Sequence, residues 1–179
     1  MSQITSVSRE RHAGKKWQRF SSYHFAATAA LAPLVDAELG SAALAMPLAF
    51  IQKGTGFALV AVLSLTPGRN MLVAPDGRWL GSYVPAHFRT HPFCHASVQG
   101  TEGAVVGVDE GSGLVVDGAS SGEEFFGADG KVSPAFQKVI DFLNELDRSR
   151  KTTDAAVSAL AEAGAIEPWS ITLKTGNIV

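Results

Sequence analysis

Between Pro47 and Val84 four apolar runs, "PLAFI", "FALVAVLSL", "NMLVA" and "RWLGSYV", are separated by "KGTG", "TPGR" and "PDG". Each separator carries a glycine and two also carry a proline, the residues that supply the backbone angles of a chain reversal. Runs this short between such reversals predict four antiparallel strands. Two more strands are expected at "FCHASV" and "AVVGVD", joined by "QGTEG", with another at "GLVVD" and an edge strand at "ITSVS". From Ala29 to Leu39 the apolar spacing is ambiguous, and Pro33 restricts any helix there to begin near it.

The period then changes. Ser133 is placed to cap a helix with Pro134 in its first turn, and Phe136, Val139, Ile140, Leu143 and Leu146 follow at three- and four-residue spacing. A second helix is expected from about Thr153 or Asp154 to Ala163, with Gly164 to end it. "WSITLK", after Pro168, predicts a last strand. The expected class is α+β, a mainly antiparallel sheet from about residues 47–117 with two C-terminal helices packed on it.

With 179 residues, 46% of them apolar and 18% charged, the chain has the length and composition of one globular domain. Its 15 basic and 17 acidic residues leave a formal charge of −2, so no positive field favours nucleic acid. The charge is segregated, however. Arg9, Arg11, Lys15, Lys16 and Arg19 cluster near the start, whereas Glu102, Asp109, Glu110, Asp117, Glu123, Glu124 and Asp129 fall between residues 101 and 131. They read as two solvated surfaces able to face each other rather than as a partner-binding patch.

The most apolar stretch, Ser41 to Leu65, is interrupted from Gln52 to Gly56, and neither half reaches the roughly 20 apolar residues of a membrane span. Polar and aromatic residues separate the basic cluster from "AATAALAPLV", which does not fit a secretory signal. The lone Cys94 excludes an internal disulfide. A soluble protein of the reducing cytoplasm is expected, with periplasm or cell surface as the alternative.

His87, His91 and His95 lie at i, i+4 and i+8, a spacing that stacks three imidazoles on a helix face and, with Cys94, suggests a zinc site. Pro92 breaks such a helix between the second and third rings, and on a strand Cys94 and His95 diverge. No metal is therefore expected, and the same divergence argues against a thiolate–imidazole pair. In "VDEGS", Asp109 and Glu110 are neighbours that face apart on a strand, so a turn held by Asp109 and Ser112 is the simpler reading. Ser64, Ser82 and Ser112 lack a nucleophile-elbow sequence, and no glycine-rich phosphate loop precedes a helix. Trp17, Trp79 and Trp169 read as packing residues.

Several blocks, in order, carry a family resemblance: "RHAGKKWQRFSSYHFAA", "PLVDAELGSAALAMPLAFI", "GRNMLVAPDGRWLGSYVPAHFRTHPF", "VDEGSGLVVDG" with "EEFFGADGKVSP", and "AGAIEPWSITL". From Arg11 to Trp169 the chain resembles the bacterial SapC family, most specifically in the central tyrosine-valine-proline, arginine and proline-phenylalanine block. The family's name is tied to surface-layer systems and implies no reaction. A peptide-transporter permease that shares the name is excluded by the lack of spans. Relatives usually carry tyrosine at the position of His91 and nothing fixed at His95, which weakens the metal reading. They also usually continue into a helical tail, so the expectation is a short member or a piece of one.

The leading functional expectation is a non-catalytic binding or assembly protein, because no acid–base, metal or nucleophile set converges. Its candidate binding residues are Trp79, Tyr83, Arg89, Asp109 and Glu110. An enzyme is the alternative, with Arg89, Tyr83, Asp109 and Glu110 in one cleft acting on a small carboxylate-bearing or peptide substrate. A metal-dependent protein using His87, His91 and His95 is the third. No cofactor is expected, the partner is a protein or small molecule that the sequence does not name, and a homo-oligomer stays open.

Overall fold

The computed structural model describes residues 3–97, 104–118 and 121–169. The "QGTEG" connection and nearly all of "WSITLK" lie outside them. The strands are β1 (Ile4–Ser6), β2 (Lys15–Trp17), β3 (Leu31–Pro33), β4 (Leu48–Lys53), β5 (Gly56–Val62), β6 (Phe93–Ser97), β7 (Ala104–Asp109), β8 (Val115–Asp117) and β9 (Glu123–Glu124). The helices are α1 (Arg9–His12), α2 (Leu39–Ala45), α3 (Ala86–Arg89) and α4 (Pro134–Glu162). The fold is α+β and its sheets are antiparallel throughout.

The strands form three small sheets, ordered β1-β7-β6, β8-β2-β9 and β3-β5-β4. The N-terminal segment threads all three: Ile4 pairs with Asp109, Lys15 with Asp117 and Leu31 with Val62. The expected edge strand at "ITSVS" is β1. The ambiguous stretch after Ala29 resolves as β3, with Pro33 on an edge strand, where a missing N–H is tolerated. β4 and β5 meet at Lys53 and Gly56 through a turn in which Gly54 has a φ of +61°, a conformation glycine adopts without Cβ strain. β5 is the central strand of its sheet, and its consecutive Leu59, Val60 and Ala61 are all buried.

Two expectations need correction. "NMLVA" and "RWLGSYV" do not form strands and share only one bridge, Val73 to Trp79. Local polar bonding displaces the ladder there. Buried Asn70 donates through Nδ2 to the Ala26 carbonyl and accepts from the Leu72 amide, while Asp76 accepts from the Arg78 amide at the reversal. The two expected C-terminal helices are also one helix of 29 residues. Ser133 caps it as expected, accepting from the Phe136 amide at 3.0 Å, and Gly164 follows its end with a φ of +67°. Thr153 does not open a new helix because its hydroxyl donates backward to the Ser149 carbonyl at 2.7 Å and accepts from the Asp36 amide at 2.7 Å.

α4 joins the apolar interior. Phe136 and Leu143 pack with Trp17, Phe93, Val108 and Phe125, Leu146 with Val35 and Ala86, and Val157 with the cluster formed around β3, β5 and α2. One helix therefore fixes the relative position of three clusters.

Proline at Asp154 discriminates one helix from two. It suits the first turn of a separate helix capped by Thr153, but it removes an internal bond from a continuous one. Asp154→Pro is expected to destabilise the protein by about 3 kcal/mol in urea unfolding. A change under about 0.5 kcal/mol contradicts helix continuity.

Candidate functional site

The basic N-terminal residues and the later acidic ones do face each other, and Glu110 is their meeting point. Its carboxylate accepts two bonds from Arg11, from Nε at 2.9 Å and from Nη2 at 2.6 Å, with Lys15 Nζ at 3.4 Å. Fully buried His12 places Nε2 3.1 Å from Oε1, although off a good hydrogen-bond direction, and its Nδ1 lies 3.2 Å from the Ser8 carbonyl oxygen. The Arg11 hydrogen bonds are the main reason that the Glu110 carboxyl is held down at about 2. Burial is the main reason that the His12 imidazole is shifted below its ordinary value. Arg19 pairs with Glu123 across the neighbouring sheet at 2.8 Å. These contacts clamp α1 and β2 onto the body.

A different electrostatic environment lies between β2, the loop after it, α3 and the first half of α4. A groove of about 540 Å³ opens there. Trp17, Phe20, Tyr23 and Phe93 contribute aromatic surface, and α4 contributes Val139, Phe142 and Leu143. Phe20 meets Tyr23 edge-on at 5.2 Å, and Trp17 meets Phe93 in a T-shaped contact at 5.0 Å. Arg19, Arg89 and Lys138 also line the groove, and among the described residues no carboxylate does. Among the described residues Arg89 and Lys138 have no ion-pair partner.

Arg89 is held without a counter-charge. Its guanidinium carbon lies 5.3 Å from the centre of the Phe142 ring and 5.7 Å from that of Tyr83, and Nη2 donates to the Tyr83 hydroxyl at 3.3 Å. That hydroxyl donates to Glu38 Oε1 at 2.9 Å. Glu38 is buried and also accepts from the Ala86 and Val35 amides, at 2.6 and 3.2 Å. Burial, then Glu38, raise the Tyr83 phenol above its ordinary value. Trp79 braces the loop behind, donating to the Tyr83 carbonyl at 2.8 Å while packing against Tyr23 and Phe88.

A second cleft, of about 570 Å³, adjoins the groove through the shared Thr90, His91, Phe93 and Leu143. His87, His91, Cys94, His95, Asp109, Asp147 and Arg150 line it. The three histidines thus share a cleft, yet each has a separate environment. His91 stacks on Phe25 at 3.8 Å, His87 is exposed, and the ring nitrogens of His95, buried on β6, have no hydrogen-bond partner among the described residues. Among the described residues no group of three or more histidine, cysteine or acidic side chains is arranged to hold a metal ion. Burial pushes the Cys94 thiol up and the His91 imidazole down, away from an ionised pair.

The sequence-derived site residues therefore divide. Tyr83 and Arg89 adjoin the groove and Trp79 supports them, whereas Asp109 lines the second cleft and Glu110 lines neither. Asp109 accepts from the Gln3 and Gly111 amides, and Ser112 bonds to its carbonyl, as expected of a turn. Sequence reasoning missed Glu38, Phe20, Tyr23 and Lys138. Lys138 sits one position before the apolar Val139 on the helix, a signal that it borders a buried face.

The SapC family model matches residues 7–178, and the chain belongs to the SapC family. No curated protein and no solved structure matches it. No helix among the described residues is long and apolar enough to cross a membrane.

The clamp generates a pH prediction. The Glu110 carboxyl is lowered from 4.5 to about 2, so its stabilisation is complete above pH 4.5 and is lost as the pH falls toward 2. Lowering of His12 acts in the same direction, with stability declining as the pH falls below 6.5. Glu110→Gln is expected to remove about 1–3 kcal/mol at pH 7 and to flatten the pH dependence between 4.5 and 2, read from urea midpoints. Parallel wild-type and variant curves contradict the clamp.

Proposed function

We propose that this chain is a non-catalytic recognition protein whose groove binds a small molecule with a carboxylate and an aromatic or apolar body. The observation that carries this reading is the composition of the groove among the described residues: aromatic and aliphatic walls, three cationic side chains and no acidic one. An arginine held by rings and a hydroxyl keeps its fork available for a carboxylate, and Lys138 adds a second positive charge. Pockets of some 300–1,000 Å³ with few convergent polar groups suit compact ligands. The enzyme alternative asked for Arg89 and Asp109 in one cleft; their separation, and the engagement of Glu110 by three basic side chains, favour recognition over proton transfer.

Titration calorimetry with 2-naphthoate and its neutral analogue 2-naphthamide tests the proposal. Saturable binding of the carboxylate is expected. Arg89→Ala and Lys138→Ala should each weaken it about tenfold while changing amide binding less than about twofold, as charge-assisted contacts imply. Equal losses for both molecules, or no saturable binding, contradict the proposal.

A further inference from the structure

We infer that Glu38, which does not line the groove, is a positioning residue that orients Arg89 through the Tyr83 hydroxyl; this rests on the reading of the groove as a carboxylate site. The phenol has one proton, and the 2.9 Å contact to Glu38 Oε1 uses it. The oxygen lone pairs are then left for Arg89 Nη2 at 3.3 Å. Without the Glu38 acceptor the hydroxyl is free to turn its proton toward the guanidinium, where donor would face donor. The two amide bonds to Glu38, from Val35 and Ala86, fix the carboxylate itself.

The relay has a consequence that a direct ion pair would lack. Glu38 and Arg89 are separated by a hydroxyl, so the guanidinium is oriented without being bound to a carboxylate. Between the Tyr83 and Phe142 rings its remaining donors stay available to a ligand. A direct ion pair between Arg89 and Glu38 would instead make every incoming anion displace a resident one. Position 38 therefore governs discrimination between a carboxylate and its neutral isostere, not affinity for the apolar body.

The test uses the full chain with 15N-labelled arginine. Rotation of the Arg89 guanidinium is measured by side-chain exchange NMR, and binding of 2-naphthoate and 2-naphthamide is measured in parallel. Glu38→Ala removes the acceptor; Tyr83→Phe removes the bridging hydroxyl and leaves both amide bonds to Glu38 intact, which keeps the test valid if Glu38→Ala fails to fold. Tyr83→Phe is expected to speed Arg89 rotation at least about threefold and to weaken 2-naphthoate binding by a similar factor with 2-naphthamide unchanged, the low end for one hydrogen bond, as its 3.3 Å length implies. A folded Glu38→Ala variant should do the same, and the double variant should be no worse than Tyr83→Phe alone. Unchanged Arg89 rotation in Tyr83→Phe overturns the positioning role whatever the ligand does. No saturable 2-naphthoate binding by the wild type overturns the groove reading, whatever Arg89 does.

Discussion

The continuity of α4 is the constraint on which the rest of the structure depends. Its 29 residues span about 43 Å at the α-helical rise. Over that length Phe136, Leu143, Leu146 and Val157 enter three apolar clusters that share no strand ladder. The sheets are too small to bury a common face, and strands of two or three residues contribute few ladder bonds. The helix supplies the common wall. Both clefts follow from this arrangement, since α4 borders each and Leu143 lies where they adjoin.

Charge is distributed over this frame in two ways. At the N-terminal clamp, Arg11, Lys15 and His12 surround one carboxylate, and β2 is stitched between β8 and β9. In the groove Arg89 lies beside two aromatic rings and meets a hydroxyl instead of an acid. The first arrangement satisfies charge internally and suits cohesion. The second leaves positive potential in a concave apolar site, where field strength exceeds that on an open surface. Arg19 belongs to both, lining the groove while paired with Glu123.

Local patterns in the sequence carried the α+β class, the β4–β5 hairpin, the β6–β7 pair and the start of α4, because each depends on residues close together in the chain. The three N-terminal strands were harder to read. Only β1 was expected, since strands as short as Lys15–Trp17 have almost no period and gain their partners about 100 residues away. The "NMLVA" and "RWLGSYV" runs had strand composition, but Asn70 and Asp76 bond the nearby backbone and prevent a ladder. At the candidate site, Tyr83 and Arg89 were legible by residue type. Glu38 was not, because nothing in "VDAEL" distinguishes a buried carboxylate from a solvated helix-start acid until Tyr83 and the Ala86 amide close on it.

The most direct test of the account is to locate an aromatic carboxylate on the folded protein. Amide and side-chain NMR shifts during titration with 2-naphthoate should change at Tyr23, Arg89, Lys138 and Phe142, on both walls of the groove. Shifts confined to the histidine-lined cleft, or scattered over the outer surface without saturation, would contradict it.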